Sequence, residues 1–561
     1  MSCVTTNKAR CQDCHRCIRV CPVKAIGLRH GQCWVVAERC ILCGACLRAC
    51  PQKAKLVANA TDRVRQLIAA GRPVVASLAP SYPAAWSRPG QLVAALRRLG
   101  FTAVEETAVA AAPVAETYRQ RFAASTAPLI SACCPVVVEL IESRFPSLIP
   151  YLAPSASPMV AHASDLAQRR PEAAMVFIGP CIAKMQEAQR TKTQGRVAAV
   201  LTFDQLASWL AEEGIDPAQL PEEQPDLVAG LLATFPLTRG IRQAAGLSSL
   251  PSAQLISVDG LDGCLETLSD LASGAIAPGP VFFELLACRG GCIGGSGLSS
   301  PLGLVARHQA VVAHARECPA QPYRPAEVAA CFAAQTIDAP QPTDEQMREI
   351  LSRIGKRSPA DEKNCGGCGY STCREKAIAV HQGLAEPEMC VPYMKAKFET
   401  LAHAVVDSSL SGVVIVNGQM EIQEFNPAAN RMFNPGGLDP KNHSLGTFLD
   451  PADFQRVWER KERIVAKRVV YPHHNLVTSQ TIYPLENYGM VVGLITDITD
   501  QESRAQAEAE LREKTVEKAT AVIKNQMRLA QEIAGLLGEA TSESKATLLE
   551  LVALLTSREE G

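Results

Sequence analysis

Twenty-two cysteines stand in a chain of 561 residues, and they are unevenly spread. Ten fall between Cys3 and Cys50, and then there are none for about eighty residues. Cys11, Cys14, Cys17 and Cys21-Pro22 repeat the spacing of Cys40, Cys43, Cys46 and Cys50-Pro51. Two-residue gaps let three thiolates of one loop hold three corners of an iron–sulfur cubane, while the fourth cysteine of each run reaches across to the other cluster. The spacing predicts one [4Fe-4S] cluster on Cys11, Cys14, Cys17 and Cys50, and a second on Cys40, Cys43, Cys46 and Cys21. The alternative is a pair of zinc knuckles, which do not need the repeated Cys-Pro ending. Cys3 and Cys33 fall outside the pattern and are read as free thiols.

Three separated cysteine loops come next: Ser131-Ala132-Cys133-Cys134-Pro135, Gly179-Pro180-Cys181-Ile182-Ala183-Lys184, and Ala287-Cys288-Arg289-Gly290-Gly291-Cys292. One such cysteine is ordinarily core packing. Five in three glycine- and proline-marked loops suggest a shared ligand, which glycine backbone can approach closely. Lys184, about one helical turn from Cys181, could offer that ligand a positive charge. A last group, Cys365, Cys368, Cys373 and Cys390, places two thiols in a glycine turn, a third opening a helix and a fourth after it. It can close around a third cubane or a structural zinc ion.

The elements that must position these residues change along the chain. Short β-rich runs at Val74–Leu78, 128–130, 175–178 and 281–283 alternate with helical stretches at 91–99 and 136–143, which predicts an α/β region with parallel strands. Each cysteine loop then falls just after a strand, where α/β folds place their sites. Ala339-Pro340-Gln341-Pro342 reads as a linker. Beyond it, 413–416, the Asn417-Gly418 turn and 420–425 predict a hairpin. Asn426-Pro427 predicts a helix start, and 490–496 a further strand. Past Asp500 the chain is charged and helical, with Val516, Ile523, Ala530 and Leu537 at seven-residue steps and Ala519 and Ile533 between them, a coiled-coil pattern with Gln526 on its seam. The fold class is therefore multidomain, α/β and α+β, divided at 1–60, 61–340, 341–398, 399–500 and 501–561.

A balance of 56 basic against 57 acidic residues gives no electrostatic reason to expect nucleic acid or an anionic membrane as partner. The apolar stretches are too short to span a bilayer, and residues 1–10 lack the apolar core of an export signal, so a cytoplasmic location is expected. In a reducing compartment, thiols at such spacings read as metal ligands rather than disulfides.

Several segments resemble known families. Residues 11–51 resemble a bacterial-type two-cluster ferredoxin, and the three later loops resemble the H-cluster signatures of [FeFe]-hydrogenases over about 65–340. The resemblance implies that Cys134, Cys181, Cys288 and Cys292 hold a cubane. Cys292 would bridge to a diiron subcluster bearing CO, cyanide and a dithiolate, with Lys184 hydrogen-bonding one cyanide and Ala79-Pro80-Ser81 contacting the other. Cys133 matches the thiol that passes protons to the dithiolate, and a thiol pKa lies within reach of neutral pH.

Departures from the catalytic pattern are equally specific. Gly179 and Leu286 stand where methionines are usual. Glu116 matches one glutamate of the proton route, but the next falls at Pro113 and a serine at Ala153. The expectation is an assembled cluster with slow turnover. The group at Cys365–Cys390 resembles a four-cysteine [4Fe-4S] module, and residues 400–500 resemble a PAS domain, with His473 and His474 read as exposed loop histidines. Cys264, Cys318 and Cys331 are expected in cores. Together these imply an H2 sensor with three [4Fe-4S] clusters and an H-cluster. Its partners would be H2, protons and a redox carrier such as ferredoxin, and it would form a homodimer through the C-terminal helix and report to a kinase or phosphatase. The rivals are a ferredoxin-linked catalytic hydrogenase, and an iron–sulfur assembly-type protein without the diiron unit.

Overall fold

The computed structural model describes residues 3–556 apart from 191–194, 252–253, 277–278, 322–327, 336, 338 and 537–541. The expected seam residue Leu537 therefore lies outside the described residues. The chain divides into two compact units, Met1–Tyr393 and Met394–Gly561.

The first unit begins with two small antiparallel pairs, β1 (Val4–Thr6) with β4 (Lys55–Val57), and β2 (Ile26–Arg29) with β3 (Gln32–Val35). The doubled cysteine run is doubled in the backbone too. Short helices Arg16–Arg19 and Ala45–Ala49 carry Cys17 and Cys46, and each is preceded by a left-handed residue, His15 and Gly44.

The α/β region holds two parallel sheets. In the first the order is β6 (Ala103–Glu106), β5 (Val74–Leu78), β8 (Ala174–Gly179), β9 (Val197–Thr202). The second runs β10 (Leu255–Asp259), β11 (Phe282–Leu286), β7 (Leu129–Ile130). Every residue of β5 and β8 is buried, which explains their unbroken small and apolar runs: a parallel strand covered on both faces has no solvent side to alternate with. Register pairs Leu78 with both Glu106 and Ile178, so β5 and β6 finish level and β8 runs one residue on. In the second sheet Asp259 pairs with Leu286 at the ends of β10 and β11, and β7 stops at Ile130, opposite Phe283.

A polar network lies inside this core. Ser77 Oγ is 2.7 Å from Thr107 Oγ1 and 2.8 Å from His162 Nδ1, while His162 Nε2 is 2.8 Å from Glu105 Oε2. Arg169 Nη2 donates to the same carboxylate at 2.7 Å. The network ties helix Pro158–Arg169 to strands β5 and β6.

The second unit contains one antiparallel sheet in the order β13 (Ile422–Phe425), β12 (Gly412–Asn417), β16 (Met490–Asp497), β15 (Leu476–Leu485), β14 (Ile464–Tyr471). The expected hairpin is β12–β13, and Asn426 caps the next helix by accepting from Ala429 N at 2.9 Å, with Pro427 in its first turn. Gly493 faces Phe454 so closely that a Cβ there would clash with the ring. Helix Thr499–Leu536 is pinned at its start by a two-pronged Arg468–Glu502 ion pair of 2.8 and 2.7 Å.

Cys264 and Cys318 are buried as expected, but Cys331 is exposed. It lies in an irregular segment tied down by the backbone bridge Ser155–Ala329, and such segments run over the surface. His473 is exposed, whereas His474 is half-buried with its ring edge-on to Phe433.

Candidate functional site

The carboxyl ends of β5, β6, β7, β8 and β11 open onto one cavity. Each strand leads into residues that line it: Ala79-Pro80-Ser81 after β5, Thr107 after β6, Cys133 and Cys134 after β7, Cys181 after β8, Cys288 and Cys292 after β11. All five loop cysteines therefore meet, and Lys184 joins them.

Glycine permits the loops to close. A Cβ on Gly291, which has φ +86°, would collide with the Pro236 carbonyl, and one on Gly295 would stand 2.6 Å from the Pro180 carbonyl. Gly179 is explained the same way. A Cβ there would meet Ala79 Cβ and the Phe177 ring at 2.8 Å, because Phe177 fills the wall that a longer side chain would need.

Lys184 is nine-tenths buried, and its ammonium donates to Glu187 Oε2 at 2.6 Å and Ser157 Oγ at 2.9 Å. Burial opposes its charge, but the Glu187 carboxylate outweighs burial and raises its pKa. Burial and neighbouring thiolate charge push Cys181 up to about 11 and raise Cys133, Cys288 and Cys292 as well, so the bare Cys133 thiol is held well above the neutral range expected from the sequence. Bare thiols so crowded resist ionisation, and bound iron supplies the positive charge that relieves this. Ser81 has a fully buried hydroxyl without a hydrogen-bond partner among the described residues. Four thiols, a buried ammonium, an unpartnered hydroxyl and a glycine cradle fit an iron–sulfur group whose other ligands accept hydrogen bonds.

Glu116 is not brought to this cavity. It sits half exposed on helix Ala111–Ala123, bound to Arg119 at 2.6 Å and to Gln120 at 2.6 Å. Pro113 stands in the same helix, and Ala153 is buried. Sequence reasoning missed Phe177, Ser157, Thr107 and Glu187. Only Glu187 left a signal, since a carboxylate three residues after Lys184 on a helix must face it.

The N-terminal cysteine loops approach the same place. The Cβ position of Gly44, between Cys43 and Cys46, falls on the Ser296 side chain and lies 3.6 Å from Ile182 Cδ1, next to Cys181. Gly44 has φ +72°. Gly44→Ala is therefore expected to push the two cluster-bearing loops apart and to slow electron exchange between their clusters by about tenfold or more, with iron content unchanged. Freeze-quench electron paramagnetic resonance would measure it. Cys33, outside the ligand pattern, is buried against Cys17, and their hydrogen bond pulls the Cys17 pKa down.

Cys365, Cys368, Cys373 and Cys390 line a second cavity together with Lys376, which is 1 % exposed and donates to Pro387 O at 2.8 Å. Burial pulls the Lys376 pKa down. This segment docks on the N-terminal one through Lys24 Nζ to Gly369 O (3.0 Å), Arg39 Nη1 to Gln382 Oε1 (2.7 Å) and Leu28 N to Leu384 O (2.9 Å). Cys373→Ala is expected to remove about four irons per chain, one cubane, while the other clusters persist; iron analysis beside the wild type checks it.

Parts of the chain are similar to known proteins. Residues 72–296 match the family model for the iron only hydrogenase large subunit, C-terminal domain. Residues 10–55 match a 4Fe-4S dicluster domain, and 361–392 match an Fe-S cluster model. The chain thus carries an iron-only-hydrogenase large-subunit domain with 4Fe-4S domains beside it. Among curated relatives, the NADP-reducing hydrogenase subunit HndD of Solidesulfovibrio fructosivorans is 27% identical over 342 residues, 51% of this chain and 55% of that protein. The periplasmic [Fe] hydrogenase large subunit of Nitratidesulfovibrio vulgaris is 26% identical over 260 residues, 37% and 62% of the two chains. The chain spans between about half and three-fifths of the length of these relatives. A solved [FeFe]-hydrogenase from Chlamydomonas reinhardtii aligns with a TM-score of 0.37 and 20% identity, covering 46% of this chain and 88% of that one. Among the described residues no helix is long and apolar enough to cross a membrane.

Proposed function

We propose that the protein is an H2-sensing [FeFe]-hydrogenase of slow turnover. The observation that carries this reading is the single cavity in which Cys133, Cys134, Cys181, Cys288 and Cys292 meet Lys184 and Ser81, while Glu116 stays outside. Cys134, Cys181, Cys288 and Cys292 would hold the H-cluster, with Cys292 as the bridging thiolate. When bound, that group supplies an open iron for heterolytic H2 cleavage and a sink for the electrons. Lys184 and the Ser81 hydroxyl would orient it through hydrogen bonds, and Cys133 would hold the proton at its sulfur. The 79–80 backbone would only contact it, because Ala79 N already donates to Ile178 O and Pro80 has no N–H. By spacing from Cys133, Pro113 and Ala153 stand at the positions of the usual relay, and neither side chain can pass a proton on.

Three cubanes extend the electron path. The Gly44 contact favours exchange with the cluster on Cys40, Cys43, Cys46 and Cys21, and the docking at Gly369 favours a further step to the cluster on Cys365, Cys368, Cys373 and Cys390. The five-stranded antiparallel sheet and its asparagine-capped helix support a PAS-type reading of 399–500. The exposed apolar residues Val516 and Ile533 on the next helix support dimerisation, with output to a kinase or phosphatase.

The retained Cys133 favours a second reading, a catalytic hydrogenase exchanging electrons with ferredoxin. Infrared spectra of the matured protein under argon and then H2, together with turnover measurement, decide among them. CO and cyanide bands that shift with H2, combined with slow turnover, support the sensor. The same bands with fast turnover support the catalyst. High iron content without such bands overturns both and leaves the assembly-type reading.

A further inference from the structure

A larger cavity, about 1080 Å³, opens where the N-terminal cysteine segment, the α/β region and the four-cysteine segment meet. Its walls carry Arg19, Lys24, Arg39, Arg48, Arg144 and Arg289 against three carboxylates, Asp259, Asp262 and Glu375. Two of the carboxylates are already engaged. Asp259 accepts from Thr238 Oγ1 at 2.7 Å and Gly290 N at 3.1 Å, and Glu375 accepts from Ser371 N at 3.0 Å. Among the described residues the guanidinium groups of Arg48 and Arg289 make no hydrogen bond or ion pair with a carboxylate, and the charge of Arg48 is felt by Cys43 and Cys288. Arg144 Nη2 donates to Val23 O at 2.9 Å, and its pKa is lowered by burial and then by the charge of Arg39, against the opposing pull of Cys21, so positive charges crowd together here.

A second observation points the same way. Tyr370 lines the cavity, is 2 % exposed, and has a buried hydroxyl with no hydrogen-bond partner among the described residues. Buried polar groups are rarely left so unless a ligand or water completes them. Leu261, Leu265, Ile378 and Leu384 give the cavity an apolar side. Charge alone would suit any polyanion. An apolar wall, a polar anchor and a volume just above the usual range for small-molecule sites narrow the class to a large ligand.

We propose that this cavity binds a nucleoside polyphosphate, its phosphates against Arg48, Arg144 and Arg289 and its base against the leucine wall beside Tyr370. Guanidinium groups suit phosphate because their forked donors match its oxygens. The ligand would touch all three cluster-bearing segments at once, so its binding bears on the electron path between them.

Calorimetric titration of the reconstituted full chain with ATP, inorganic triphosphate and adenosine tests this. Saturable ATP binding that weakens with salt, with triphosphate weaker and adenosine weaker still, is the expected result. Each charged hydrogen bond is worth about tenfold or more in affinity, so R48Q/R289Q should lower ATP affinity by at least about a hundredfold. Y370F should weaken ATP but not triphosphate. Arg48 and Arg289 neighbour cluster ligands in sequence, whereas Arg144 approaches one only through its side chain, which donates to Val23 O near Cys21. In R144Q unchanged iron content certifies folding, and ATP affinity should still fall. No ATP binding at millimolar concentration, triphosphate binding as tight as ATP, or wild-type affinity in R144Q with R48Q/R289Q would each overturn the proposal.

Discussion

Cys133→Ala is expected to lower H2 turnover by about a hundredfold or more while iron content and the CO and cyanide infrared bands stay as in the wild type. The reason is positional. Cys133 lines the cavity beside Cys134, yet in the proposed arrangement only Cys134 is a ligand, so removing the first sulfur leaves the four cubane thiols in place. The loop that carries both is held from outside the cavity, since Ala132 N donates to Tyr118 Oη at 3.1 Å, and it should keep its shape when a thiol becomes a methyl. What disappears is the group that can exchange a proton with the reacting centre, and a positioned proton carrier typically contributes 10²–10⁴-fold. Cys134→Ala is the contrasting variant, expected to lose the infrared bands with the cubane. Turnover unchanged in Cys133→Ala would reduce Cys133 to a neighbour of a ligand and remove the proton-carrier role from the proposed mechanism.

The second large effect is on stability. His162 is completely buried between Ser77 and Glu105. Burial drives the Glu105 pKa upward, but hydrogen bonds from His162 and Arg169 outweigh it and bring it down to about 2. A carboxylate whose folded pKa is depressed contributes stability that is complete above its unfolded value, near 4.5, and is lost as pH falls toward about 2. At neutral pH that contribution is of the order of 3 kcal/mol. His162→Leu leaves the carboxylate in the core with only Arg169, and breaking a buried pair in this way costs about 3–5 kcal/mol. The variant should unfold at lower denaturant concentration at pH 7 and begin acid unfolding at a higher pH than the wild type. Ser77→Ala, which removes one neutral partner, should cost only about 1 kcal/mol. A midpoint for His162→Leu within error of the wild type would show that the network is dispensable.

Most of the site could be read in the chain because cluster chemistry depends on residue type at short range. The spacing Cys40, Cys43, Cys46 carries its geometry with it, and the left-handed residues His15 and Gly44 repeat at the same place in both runs. The buried strands β5 and β8 were legible for a similar reason, as runs without polar alternation between glycine- or proline-marked loops. The Asn426 cap is a local hydrogen bond written in two adjacent residues.

Other features depend on which distant residues share a neighbourhood. Glu116 matched the proton route by spacing, yet its helix presents it toward Arg119 and solvent. Gly179 looked like a missing methionine until Phe177 was seen to fill the wall. Cys331, apolar by type, was placed outside by an irregular surface segment. Glu105 and His162 lie 57 residues apart, and no local pattern marks them as a pair. The arginines of the large cavity come from two segments, Arg19, Arg39 and Arg48 from the N-terminal one and Arg144 and Arg289 from the α/β region, in a chain whose total charges nearly cancel. By itself, then, the sequence determined where the cysteine loops fall and the strands that present them, because both are set by spacing and periodicity along the chain. The tertiary structure alone decided which charges are buried together, which side chains reach the cavity and where three cluster-bearing segments leave a basic opening, because burial and proximity are properties of packing between segments remote in sequence.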